Sequence, residues 1–274
     1  MTWRAFTEPS QQEHDLAVQN QAMRCHNTGF TLIEVLVIVA IIAVLAAVLF
    51  PVFASAKQSA QKTICASNQR QIGQAFMVYA ADNDDCYPNN GDPYLWVGKR
   101  WRWPVMTYIG AGQRQGDNFS AKTSNPSIFL CPSDTIAGSA YDATSYAYSA
   151  SFYHSPEQIN AMRIRNTILS INDPGPGATT LSQRTTSVAE PTRKALLTEW
   201  FNNHDFGQGG RVGFWGKLKL GLVPGDDRWQ GSRILLFADG HVRLTKATRQ
   251  TPSAENCPDI NLTPNGILGI DLKN

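Results

Sequence analysis

The chain has few of the groups that do chemistry. Its 274 residues hold five cysteines and five histidines, and no two cysteines stand in the close Cys-x-x-Cys spacing of zinc or thioredoxin-like sites. No Gly-x-Ser-x-Gly, His-Glu-x-x-His, Walker or Gly-x-Gly-x-x-Gly pattern stands in a supporting context, so the sequence reads as non-enzymatic. Charge is sparse too. Only 17 % of residues are charged, and 24 basic against 22 acidic residues leave a net charge of +2. The basic residues are scattered, so nucleic acid is not expected as a partner.

What the chain does have is one long apolar run. Residues 30–50 form 21 positions at which only Thr31 and Glu34 are polar. As a helix rising about 1.5 Å per residue, this stretch can cross the roughly 30 Å hydrocarbon core of a bilayer. Glu34 costs roughly 2–4 kcal/mol there, so an acid at that place needs a partner or a purpose. Ala54-Ser55-Ala56 mimics a signal-peptidase site. The apolar run nevertheless exceeds the roughly 7–15 residues of a usual signal-peptide core, and it contains an acid.

Gly29-Phe30-Thr31-Leu32-Ile33-Glu34, continued through Pro51-Val52-Phe53, resembles the N-terminal processing and methylation motif of type IV prepilins and type II secretion pseudopilins. The resemblance implies cleavage after Gly29 by prepilin peptidase and methylation of the new N-terminal Phe30. It implies that Glu34 meets the N-terminal amine of a neighbouring subunit during assembly, and that Pro51 kinks the helix. Other pilin or pseudopilin subunits, an inner-membrane assembly platform and membrane lipid follow as expected partners. A plain signal anchor would explain the length of the run but not its first six residues.

Residues 1–29 are the expected cytoplasmic leader. Met23 offers a simpler start, giving a short basic leader that ends at Gly29, so residues 1–22 are expected to reflect a misplaced start codon. Removal of the leader takes Cys25 with it and leaves Cys65, Cys86, Cys131 and Cys257. In an extracytoplasmic setting these four are compatible with two disulfides in any of three connectivities.

Beyond Val52 the apolar positions become periodic. Phe53, Ala56, Ala60, Ile64, Ile72, Ala75, Phe76 and Tyr79 recur at helical spacing, with Lys57, Gln58, Gln61, Lys62, Asn68 and Arg70 as the wet face. One helix is predicted over residues 30–81, ended by Asp82-Asn83-Asp84-Asp85. Residues 30–51 would be its transmembrane and assembly half and residues 52–82 its amphipathic half, with a globular domain over residues 83–274. Residues 195–201 and 233–238 read as strands. Residues 241–245 alternate after the turn dipeptide Asp239-Gly240. The expected fold is α+β and pilin-like, with the long helix packed on an antiparallel sheet of about four strands. The tail, residues 246–274, is expected to be an edge strand or extended segment.

The segment from Cys65 to Pro88, Cys131-Pro132-Ser133-Asp134 and Phe237-Ala238-Asp239-Gly240-His241-Val242 resemble a group of prepilin-like proteins with a C-terminal His-x9-Asp-Gly signature. Trp229 stands where that signature has His. Residues 88–127 and 132–195 are loop-rich with interspersed aromatics: Trp96, Trp101, Trp103, Tyr108, Tyr141, Tyr146, Tyr148, Phe152 and Tyr153. These aromatics are expected to pack on the sheet. The alternative is a membrane-tethered, non-polymerising adhesion protein that uses them as a binding platform. Glu199, His204 and Asp205 lie close enough in sequence to suggest metal ligands or an anchored hydrolase. They lack a second well-spaced His, however. Asp226, Asp227 and Asp239 are the oxygen set available to Ca2+, although Asp239 reads first as a turn residue. No cofactor is otherwise expected.

Overall fold

The computed structural model describes residues 30–91, 99–110, 127–135, 144–163, 179–205, 212–213 and 228–273. The chain divides into two compact units, Met1–Ala54 and Ser55–Asn274. A helix, α1 (Leu32–Asp82), provides the described part of the first unit and the opening element of the second.

The described residues of the first unit form a helix with exposed apolar side chains. Thr31 caps it, because its hydroxyl accepts from the Glu34 N–H at 3.3 Å while Glu34 Oε2 accepts from the Thr31 N–H at 2.8 Å. This reciprocal pair is a capping box that satisfies two N-terminal donors. Beyond it every large apolar side chain of the run is exposed, from Leu32 at 84 % to Phe53 at 69 %. Pro51 lies inside the helix, where it withholds the donor that Ala47 C=O would otherwise receive.

In the second unit α1 gains a buried stripe. Cys65, Gln69, Ile72, Gly73, Phe76 and Ala80 recur every three or four residues and are buried. The stripe starts later than the periodicity predicts, because Phe53, Ala56, Ala60 and Ile64 are all exposed. Polar shoulders do part of the docking instead. Gln61 Nε2 donates to Pro132 O at 3.2 Å, Asn68 Nδ2 to Leu130 O at 3.0 Å and the buried Gln69 Nε2 to Ile234 O at 2.9 Å. Gly73 lets the helix approach the sheet, since a Cβ there would lie 2.7 Å from Leu236 Cδ1. The helix ends where Asp84 and Asp85 turn left-handed and Asn83 Nδ2 caps Tyr79 O at 2.7 Å.

The sheet is an antiparallel meander in chain order: β1 (Tyr146–Tyr148), β2 (Ala195–Glu199), β3 (Ser232–Phe237) and β4 (Val242–Lys246). β1 is not among the strands the sequence predicts, because three residues, Tyr-Ala-Tyr, are too short to show alternation. β2 and β3 are buried at every position, which explains their nearly continuous apolar reading. Ile234 and Leu236 join the helix-side core, while Leu235 and Phe237 meet Ala195, Ile260 and Leu272 on the other face. The β3–β4 hairpin turns on Gly240, whose φ of 88° suits glycine. Two short α-helices, α2 (Trp103–Met106) and α3 (Pro156–Ala161), and several 3-10 turns complete the regular structure among the described residues.

The tail is not an edge strand. It crosses the outer face of the sheet as irregular chain, with a single bridge between Gln250 and Leu272 among the described residues. Asp271 anchors it. Its carboxylate pairs with the buried Lys194 ammonium at 3.2 Å, accepts from Ala195 N–H at 2.7 Å and meets the Thr263 hydroxyl. Burial raises the Asp271 carboxyl above its ordinary range and lowers Lys194, and their mutual attraction opposes both shifts. Neither charge would remain buried without the other.

Candidate functional site

Two places gather the residues that the sequence singles out. The first is the start of α1. Phe30 is exposed, and Glu34 is held by Thr31 through the backbone donor and through the Thr31 hydroxyl at 2.9 Å. The acid that looks partnerless in sequence therefore has a partner one turn away, on its own chain. Gly29 and the rest of the leader lie outside the described residues.

The second is a buried polar cluster where α1 meets the sheet. Cys65 on α1 is disulfide-bonded to Cys131, across 66 positions of sequence. The two-disulfide arrangement is not formed. Cys86 and Cys257 are free, and each thiol is held locally, donating to Asp84 O at 3.5 Å and Glu255 O at 3.4 Å respectively. Burial pushes the Cys257 thiol up to about 12, which suppresses its thiolate.

Beside the disulfide, His204 Nε2 lies 3.2 Å from Glu199 Oε1 and 3.9 Å from Cys131 Sγ. The second oxygen of Glu199 accepts from Ile234 N–H at 2.8 Å, and Asn203 Nδ2 donates to the first at 3.4 Å. The Arg233 guanidinium is fully buried and feels the Glu199 charge, although burial lowers it to about 10. The sequence grouping of Glu199, His204 and Asp205 is therefore only partly realised. Asp205 adopts φ 54° and pairs with Lys62 on α1 at 2.6 Å, outside the cluster. Cys65 and Cys131 take its place, and their ligand atoms with those of Glu199 and His204 all lie within 4.8 Å of one another. Sequence reasoning misses this set because its members are far apart along the chain, and no local spacing marks it.

Among the described residues, the remaining candidates make local contacts. Cys131 N–H donates to Ser145 Oγ at 2.9 Å, and Asp134 N–H closes a turn onto Cys131 O at 2.8 Å. Asp239 Oδ1 accepts from the His241 N–H at 3.1 Å and lies 2.6 Å from Nδ1 of that ring, so it is occupied within its own turn. Asp226 and Asp227 lie outside the described residues. Trp229 is half-buried, with the Lys273 ammonium 5.3 Å above its ring. Of the loop aromatics, Trp101, Tyr146, Tyr148, Phe152 and Tyr153 are fully buried. Phe76 links them to α1, with ring centroids 5.9 Å from Trp101 and 5.1 Å from Tyr148. Trp103 and Tyr108 pack partly buried against this core, and Trp96 and Tyr141 lie outside the described residues.

Among known protein families, residues 24–50 match the prokaryotic N-terminal methylation motif. No curated protein and no solved structure matches the chain. The chain thus carries a prepilin-type cleavage and methylation motif on a pilin-like α+β arrangement, and the motif implies processing by prepilin peptidase. The exposed apolar helix is long enough to cross a membrane, consistent with anchoring before assembly.

Proposed function

We propose that this chain is a structural subunit of a type IV pilus-like or type II secretion pseudopilus filament. It is cleaved after Gly29, methylated at Phe30 and held by the first half of α1 in the inner membrane until it is assembled through the platform. Afterwards it belongs to a periplasmic or surface filament. Within that class we assign it to the group with the C-terminal His-x9-Asp-Gly signature, with Trp229 in the histidine position.

One observation carries the reading: a capped helix whose first half, from Leu32 to Phe53, leaves all its large apolar side chains uncovered starts within the matched motif. Such a surface needs lipid or other helices around it. Glu34 then has two successive partners. Before assembly Thr31 satisfies it, and in the filament a neighbour's N-terminal amine would add an opposite charge. The burial of the aromatic residues supports this reading over a loop-based adhesion platform.

The test is Glu34→Ala in the full chain. Membrane fractionation should be unchanged and recovery in sheared filaments lost. Normal filament yield would overturn the assembly role of Glu34. Gly29→Ala should leave the leader attached by N-terminal mass analysis, and a mature N-terminus other than Phe30 in the unmodified protein would overturn the cleavage assignment.

A further inference from the structure

We propose that the dithiol form of this chain binds one Zn2+ ion through Cys65, Cys131, Glu199 and His204, so that disulfide and metal are alternative closures of one helix-to-sheet joint. The four residues are buried to 2 % exposure or less, and their ligand atoms are already gathered within 4.8 Å. Two sulfurs, one imidazole nitrogen and one carboxylate oxygen are a donor set that zinc accepts in four-coordinate sites.

Two of the distances are already close to those of a zinc site. Tetrahedral zinc at the usual bond lengths puts nitrogen and oxygen ligands about 3.3 Å apart and sulfur and nitrogen about 3.6 Å apart. Here Glu199 Oε1 and His204 Nε2 are 3.2 Å apart, and Nε2 and Cys131 Sγ are 3.9 Å apart. The two sulfurs must separate to about 3.8 Å once their bond is broken, and any of the remaining ligand pairs near the 4.8 Å limit must draw in to the tetrahedral edge. The supporting contacts are also present. Ile234 N–H holds Glu199 Oε2, leaving Oε1 to face the metal, and Asn203 steadies that oxygen.

Charge decides whether a buried ion is tolerable. In the disulfide form the Glu199 carboxylate is offset by the buried Arg233. Replacing the disulfide by two thiolates and Zn2+ adds no net charge, so the balance with Arg233 is kept. The exchange is chemically complete. A dithiol reductant passes two electrons and two protons to the Cys65–Cys131 bond and itself becomes a disulfide. Zn2+ then displaces both thiol protons, while the His204 ring carries its proton on Nδ1 and coordinates through Nε2. Both forms tie α1 to the segment before β1. The joint can therefore close in a reducing compartment as well as in an oxidising one.

The test uses the detergent-solubilised full chain, reduced with a phosphine, freed of reductant without air and titrated with Zn2+ against a chromophoric chelator. Co2+ serves as the spectroscopic probe. The expected result is one Zn2+ per reduced chain, a thiolate-to-cobalt charge-transfer band and no uptake by the oxidised chain. His204→Ala and Glu199→Ala each remove a direct ligand, so each should weaken binding by at least the roughly 10- to 100-fold that loss of an outer-shell partner costs. Cys86→Ser with Cys257→Ser should bind as the parent does. The proposal is overturned if the reduced parent takes up no more metal than the oxidised chain, or if its cobalt spectrum lacks thiolate bands. Both of these readouts come from the unsubstituted chain, so they stand whether or not a variant folds.

Discussion

The two halves of α1 share one backbone and one helical period, yet they meet different surroundings. From Leu32 to Phe53 the large apolar side chains are exposed by roughly half or more. From Cys65 to Ala80 a narrow stripe is fully buried, and that stripe includes a glutamine and a glycine. Apolar content therefore does not mark the half that builds the domain. The more apolar half leaves its large side chains exposed, whereas the more polar half is fixed by a disulfide, three side-chain-to-backbone hydrogen bonds and one close approach. A helix face that must fit one particular surface needs small and hydrogen-bonding residues at set places. A face that meets lipid or many neighbours needs only to be apolar.

The largest expected effect comes from unlocking the packed half. Replacing Cys65 and Cys131 together by serine frees a 66-residue separation, for which loop closure gives about 4 kcal/mol. The oxidised full chain in detergent should lose roughly 10 °C in Tm. An unchanged Tm would mean that the hydrogen bonds and core hold α1 without the cross-link. Gly73→Val comes next. Its new methyl groups would enter the space of Leu236, at a cost of about 1–3 kcal/mol by chemical denaturation. A stabilised Gly73→Val protein would break the claim that this approach is tight.

The same contrast explains what is legible in the sequence. The apolar run, its acid and its glycine-phenylalanine start are contiguous, so they can be read without any fold. Strands β2, β3 and β4 and the Asp239-Gly240 turn are likewise local patterns. The buried cluster is different. Cys65, Cys131, Glu199 and His204 come together only when α1, the segment before β1 and the end of β2 are packed, and no short window contains them. β1 is hidden because three residues carry no period. Periodicity sets the start of the buried stripe too early, because alanine and phenylalanine at helical spacing look alike in both halves. The polar shoulders Gln61, Lys62 and Asn68 read as a wet face, yet each reaches a partner more than 60 positions away in sequence.

The smallest effect is the sharpest test of the contrast between the halves. Leu45 lies in the first half of α1 and is 58 % exposed. Truncating a leucine to alanine in a packed core costs about 2–5 kcal/mol. At Leu45 no core is lost and alanine is the better helix former, so Leu45→Ala should change the stability of the solubilised chain, measured by chemical denaturation, by less than about 0.5 kcal/mol. Its cost should appear instead where the helix is covered, as weaker membrane retention or lower incorporation into filaments. A core-sized loss of stability in the solubilised monomer would mean that the first half of α1 is covered by its own chain after all, and the division between an assembly helix and a folded domain would fall with it.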